Sequence, residues 1–273
     1  MFHQVIVGVD GGPTGRDAVA VARLLMAADA RLVLVHVHEL TPVRGASGVY
    51  GPSETAESKA LLEAEREATG VDADLVPVTA SSVGRGLHYV AQARAADLLS
   101  VGSTARSLAG RVLVGDITRA ALIGAPCAVA IAPRGYATEA GAITRIGVGY
   151  DGSRDSEAAL AFARGLAGRH GATVAAMTVV APATLRGVAR SRADEEELDQ
   201  AKRDLAALDG VHGEVASGSA GEELAEFSAR VDVLVVGSRG YGPIRSLMLG
   251  GTAVHLASSA QCPLLVLPRA EDE

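Results

Sequence analysis

Residues 231–260 read VDVLVVGSRGYGPIRSLMLGGTAVHLASSA, and the fold turns on how this stretch divides. Val233 to Val236 are four apolar, mostly β-branched residues between Asp232 and Gly237, which predicts a strand covered on both faces in a parallel sheet. Its carboxyl end runs into Gly-Ser-Arg-Gly, a loop follows, and Gly250-Gly251-Thr252 opens a second apolar segment with helical character. In open α/β sheets ligands collect just outside the carboxyl ends of the strands. A helix beginning at Gly251 or Thr252 would aim unpaired N–H groups into that crevice, so the arrangement suits an anion.

Outward from this stretch, the same alternation covers the chain. Strands are predicted at 5–9, 32–37, 75–78, 98–101 and 129–131, with helices at 18–28, 53–69, 87–95 and 117–123 between them. After Pro133 the pattern restarts with a strand at 146–150, a helix at 157–169, a strand at 174–180, charged and apolar helices at 190–208 and 221–229, and a closing strand at 264–267. Gly102 and Gly237 lie 135 positions apart, as do Asp97 and Asp232, Gly115 and Gly250, Cys127 and Cys262, and Pro133 and Pro268. Asp10 and Asp151 lie 141 apart, so a deletion of about six residues separates the two blocks. So many matches define an internal duplication. The expected fold class is α/β: two tandem open-sheet domains, residues 1–138 and 139–273, each with a mainly parallel five-stranded sheet flanked by helices. The boundary falls in the Gly- and Ala-containing stretch 134–143, expected to be an exposed linker. The halves are expected to pair as an intramolecular pseudo-dimer through their terminal strands, which would otherwise be open edges, and further homodimerisation is open.

Composition narrows the function classes. Of 273 residues 48% are hydrophobic but only 3% aromatic, with no Trp, so the core must be aliphatic, which favours layered α/β packing over an aromatic sandwich or a stacking platform for bases. A formal charge of −7 argues against general nucleic-acid binding. No apolar run approaches the roughly 18–20 residues of a membrane span, and the opening segment does not read as a signal peptide, so a cytoplasmic protein is expected. Cys127 and Cys262 have no C-x-x-C partner and read as small buried hydrophobes. The seven histidines form no metal-ligand spacing; His36 and His38 share a strand face, and His255 lies in the helix after Gly250. The helices at 53–69 and 190–208, the latter with Glu195, Glu196 and Glu197, read as solvated charged faces.

With Asp151 after the first strand of the second half and the Gly237-Ser-Arg-Gly240 to Gly250-Gly251-Thr252 loop after its fourth, the chain resembles a tandem universal stress protein of the UspA superfamily. The nucleotide motif of that family's ATP-binding branch runs Gly, two residues, Gly, nine residues, Gly, then Ser or Thr. Gly237, Gly240 and Gly250 keep the spacing, while Gly251 stands where Ser or Thr is expected and Thr252 follows one place later. The resemblance implies ATP as ligand, with or without Mg2+: Asp151 toward the ribose, the backbone at Val179 toward adenine, Val236 and Gly237 at the strand end, and Gly240, Gly250, Gly251 and Thr252 around the phosphates. In the first half Ala105 replaces the second glycine and Asp116 the equivalent of Gly251, which opposes a nucleotide there.

Neither glycine loop ends in a Walker A lysine, the glycines after the late strand lack the Rossmann G-x-G-x-x-G spacing, no G-x-S-x-G elbow occurs, and no water-activating residue stands out, so binding is favoured over catalysis. The glycines would equally serve as a tight strand-to-helix loop, and Arg239 and Arg245 either neutralise phosphate or are solvated loop charges. Three functions stay open: an adenine-nucleotide-binding stress-response or signalling protein, a nucleotide-free interaction protein, and a slow magnesium-dependent ATPase.

Overall fold

The structure is a computed structural model that describes residues 1–40, 52–103, 106–108, 111–113, 116–139, 141–181, 192–238 and 250–268. The chain divides into two compact units, Met1–Ala140 and Gly141–Glu273.

The first unit runs β1 (Phe2–Gly8), α1 (Pro13–Leu25), β2 (Met26–Glu39), α2 (Pro52–Thr69), β3 (Asp74–Ala80), α3 (Val83–Ala93), β4 (Leu98–Gly102), β5 (Arg106–Leu108), β6 (Arg111–Leu113), α4 (Asp116–Leu122), β7 (Ala128–Ala132) and α5 (Tyr136–Glu139). Its main sheet has the order β7-β4-β1-β2-β3, with every pairing parallel. β4 and β7 are buried at every position, as expected of strands covered on both faces. Pro13 starts α1 where a missing N–H costs nothing, and Ala18, Ala22 and Leu25 form its buried stripe. The stripe predicts a helix to Ala28, but α1 ends at Leu25 because Met26 turns extended and pairs with Phe2.

The second unit runs β8 (Arg145–Gly149), α6 (Arg154–His170), β9 (Thr173–Val180), α7 (Arg192–Ala206), β10 (Val211–Ser217), α8 (Ala220–Ser228), β11 (Val233–Gly237), α9 (Gly251–Ser259) and β12 (Leu264–Leu267). Its sheet is parallel in the order β10-β9-β8-β11-β12. α6 is capped at both ends: Ser153 Oγ accepts from Ser156 N at 3.2 Å, and Gly171 closes it at φ +65°. In each sheet the strand order reverses beside the first strand, which opens a crevice above the carboxyl ends of β1 and β4, and of β8 and β11.

The duplicated residues do duplicated work. Asp97 accepts from the backbone N–H of His3 at 2.7 Å and Gln4 at 2.9 Å, so it ties the start of β1 to β4. Asp232 does the same for β8, accepting from Thr144 N at 2.7 Å and Arg145 N at 2.8 Å. Gly102 ends β4 beside the start of α1, and Gly237 ends β11 beside the start of α6: an added Cβ would come within 2.2 Å of the Thr14 carbonyl oxygen and 2.7 Å of the Asp155 carbonyl oxygen.

Three features depart from expectation. β10 is an outer strand, half exposed along VHGEVAS, and lacks the apolar run that marks the others. β5 and β6 form a separate antiparallel pair. Part of the expected linker folds as α5, held because buried Asp17 of α1 accepts from Gly135 N at 2.9 Å and Ala137 N at 2.8 Å.

Candidate functional site

The crevice of the second unit is a cavity of about 460 Å3, within the roughly 300–1,000 Å3 typical of small-molecule sites. Strand ends supply Gly149, Tyr150 and Asp151 from β8 and its extension, Met177 and Val179 from β9, and Val236 and Gly237 from β11. Helix starts supply Ser153, Asp155 and Ser156 from the α6 end, Ala220 and Leu224 from α8, and Gly250 to Ala253 at α9. The structure therefore gathers Asp151, Val179, Val236, Gly237, Gly250, Gly251 and Thr252 around one space; Gly240, Arg239 and Arg245 lie outside the described residues.

Two walls have different chemistry. Asp151 Oδ1 accepts from Ser153 N at 3.1 Å and from Ser153 Oγ at 2.5 Å, while Ser153 Oγ also caps α6. This turn fixes the carboxylate at the rim, where it can accept from hydroxyl groups. Opposite, Gly250 is the N-cap of α9 and offers no side-chain cap, so the backbone N–H groups of Gly251 and Thr252 form a donor edge with the positive end of the helix dipole behind it. Met177, Val179, Leu224 and Val236 make the apolar surface between these walls. Such a site takes a ligand with an apolar planar body, hydroxyls and an anionic group.

Gly237 and Gly251 owe their places to different causes. Gly237 is required by the close passage of Asp155, whatever the crevice holds. An added Cβ at Gly251 would meet no described atom within 4 Å. Its backbone is held only by the start of the helix.

Other lining residues were not singled out by sequence. Ser153 was readable from the Asp151-Gly152-Ser153 turn, whereas Tyr150, Asp155, Met177, Ala220, Leu224 and Ala253 have no local signal and come together only through the strand order. Tyr150 donates to Glu157, and burial, then that bond, push its phenol up to about 12.

The first unit's equivalent crevice is about 80 Å3. Its first α3 residue is Val83 where α8 has Ala220, and Ile117 stands where α9 has Thr252. Larger apolar side chains at both helix starts thus fill space that the second unit leaves open. Ala105 and the side chain of Asp116 lie outside the described residues.

The remaining candidates have structural places. His36 Nδ1 is 3.0 Å from the Val9 carbonyl oxygen, and the exposed His255 rests over Gly221, where a Cβ would meet its ring at 2.9 Å. Cys127 and Cys262 are buried, and burial pushes both thiols up to about 12. The face of α2 is not wholly solvated: Glu65 is 1% exposed and pairs with Arg16 at 3.1 Å. Glu195, Glu196 and Glu197 are exposed. Among the described residues no group of three or more His, Cys, Asp or Glu is placed to hold a metal ion, and no helix is long and apolar enough to cross a membrane.

Fold and crevice together define a tandem of doubly wound α/β domains with a crevice at the switch point of each sheet. The chain belongs to the universal stress protein family, whose model matches residues 1–133 and 142–268. It is 26% identical to a universal stress protein of Mycobacterium tuberculosis (strain ATCC 25618 / H37Rv), over 97% of this chain and 99% of that one. Among solved structures it is similar to a universal stress protein from Archaeoglobus fulgidus DSM 4304 (TM-score 0.70, 16% identity, 98% of each chain). A protein from Pseudomonas aeruginosa PAO1 shares the fold with TM-score 0.68 at 17% identity, over 97% of this chain and 92% of its own.

Proposed function

We propose that the second domain, residues 139–273, binds an adenine nucleotide, ATP foremost, and that the protein serves in a stress response or in signalling. The observation that carries this reading is the 460 Å3 crevice with a fixed carboxylate on one side and the uncapped start of α9 on the other. Asp151 accepts from the ribose hydroxyls, the β9 end at Val179 lies against the base, and the N–H groups at Gly251 and Thr252 receive phosphate oxygens. Val236 and Gly237 form the floor between them, and Gly240 belongs to the same motif. Asp155, beside Gly237, is the carboxylate of this crevice that would hold a magnesium ion near the phosphates.

Two observations favour a nucleotide-free second reading. The Asp155 approach explains Gly237 without a ligand, and the described lining contains no Lys or Arg. Equilibrium binding of radiolabelled ATP to the whole chain decides between them. Saturable binding that weakens roughly tenfold in Asp151→Ala, as loss of hydrogen bonds to a charged acceptor requires, supports the nucleotide reading. No saturable binding at millimolar ATP would falsify it. Phosphate release from the saturated protein, with and without magnesium, tests turnover separately.

A further inference from the structure

We propose that the first unit's crevice binds a small neutral aliphatic molecule carrying a hydrogen-bond donor, such as a short-chain alcohol. The inference is independent of nucleotide binding in the second unit. Its size sets the first limit. A cavity of about 80 Å3, where a water needs roughly 10–15 Å3, has room for a body of a few carbon atoms and none for a nucleoside.

The walls set the second. Val35 and Val37 from β2, Val83 and Leu87 from α3, and Ile117 from α4 line it with methyl groups. Water there would make few hydrogen bonds, so an alkyl group is the better occupant.

The polar rim sets the third. Asp10, Thr14 and His36 line the same space, with no Lys or Arg among the described lining residues. A carboxylate only accepts, and among the described residues Asp10 Oδ1 takes the Gly12 N–H at 3.0 Å, which leaves it acceptor capacity. His36 Nδ1 is engaged with the Val9 carbonyl oxygen at 3.0 Å. Asp10 therefore selects a donor head and repels an anionic one.

The test is methyl NMR of the whole chain at pH 8, titrated with isobutanol and, separately, isobutyrate. Saturable shifts of the Val83, Leu87 and Ile117 methyls are expected with isobutanol, at a dissociation constant on the order of millimolar, and isobutyrate should bind roughly tenfold weaker or less. Val83→Phe should fill the space and abolish the shifts. Val83→Ala, which only enlarges it, should move the preference to an alcohol one or two carbons longer. The proposal fails if isobutanol gives no saturable shift, if isobutyrate binds as well, if a folded Val83→Phe still binds, or if Val83→Ala leaves the chain-length preference unchanged.

Discussion

Substituting Gly237 by alanine separates a fold requirement from a ligand requirement. The new Cβ would sit 2.6 Å from Asp155 Cβ and 2.7 Å from the Asp155 carbonyl oxygen, both on the first turn of α6. Neither is the end of a flexible side chain, so α6 or β11 must move by several tenths of an ångström. Overpacking of this kind costs about 1–3 kcal/mol. Loss of glycine's freedom in the unfolded chain returns at most about 1 kcal/mol. A net loss of about 1–2 kcal/mol in a domain of this size lowers Tm by roughly 3–8 °C. Gly251→Ala is the control: its Cβ meets no described atom while the unfolded chain loses the same freedom, so Tm should rise by roughly 1–4 °C rather than fall. Differential scanning calorimetry of the apo protein reads both. A Gly237→Ala protein as stable as the parent would refute the claim that helix approach demands this glycine, and would return the residue to a purely ligand-binding role.

Three further outcomes follow from other contacts. Replacing Val83, Asp116 and Ile117 by their second-unit equivalents (Val83→Ala, Asp116→Gly, Ile117→Thr) should open the first crevice and raise nucleotide stoichiometry, measured by calorimetric titration, from one toward two per chain; unchanged stoichiometry counts against these residues as the block. Asp232→Ala leaves the N–H groups of exposed Thr144 and half-buried Arg145 to water and should cost about 1–2 kcal/mol in urea unfolding, against no more than about 0.5 kcal/mol if the contacts are incidental. Cys127 and Cys262 keep their protons in the fold up to about pH 12 but ionise near 9 once unfolded, so their contribution is complete below pH 9 and is lost as pH climbs toward 12. The decline is up to about 1.4 kcal/mol per pH unit per thiol, and Cys→Ala variants measured over that range should lack it.

Much of the fold was readable because strand, turn and helix each left a local mark. Leu98–Gly102 and Val233–Gly237 are continuous apolar runs closed by glycine, and the duplication showed in residues 135 positions apart. β10 escaped because it is an outer strand with every position half-buried or exposed, and Val-His-Gly-Glu-Val-Ala-Ser has no uninterrupted apolar run to reveal it. α5 escaped because its anchor is the buried Asp17 carboxylate, more than a hundred positions away.

The repeat itself separates architecture from function. Asp97 with Asp232, Gly102 with Gly237, and Cys127 with Cys262 recur, and each pair does a structural job: strand tethering, close helix approach, core filling. Among the pairs that line the crevices, Val83 against Ala220 and Ile117 against Thr252 carry the larger apolar side chain in the smaller crevice. A glycine kept in both halves is therefore poor evidence for a ligand, because the crevice too small for a nucleotide has it as well. The weight of the nucleotide reading shifts from Gly237 to the features that distinguish the second crevice: room beside Thr252, the unoccupied side of Gly251, and the small Ala220 at the start of α8. If those positions, rather than the shared glycines, govern binding, then the ligand chosen by each half was set by a few side chains at helix starts on a scaffold that both halves retain.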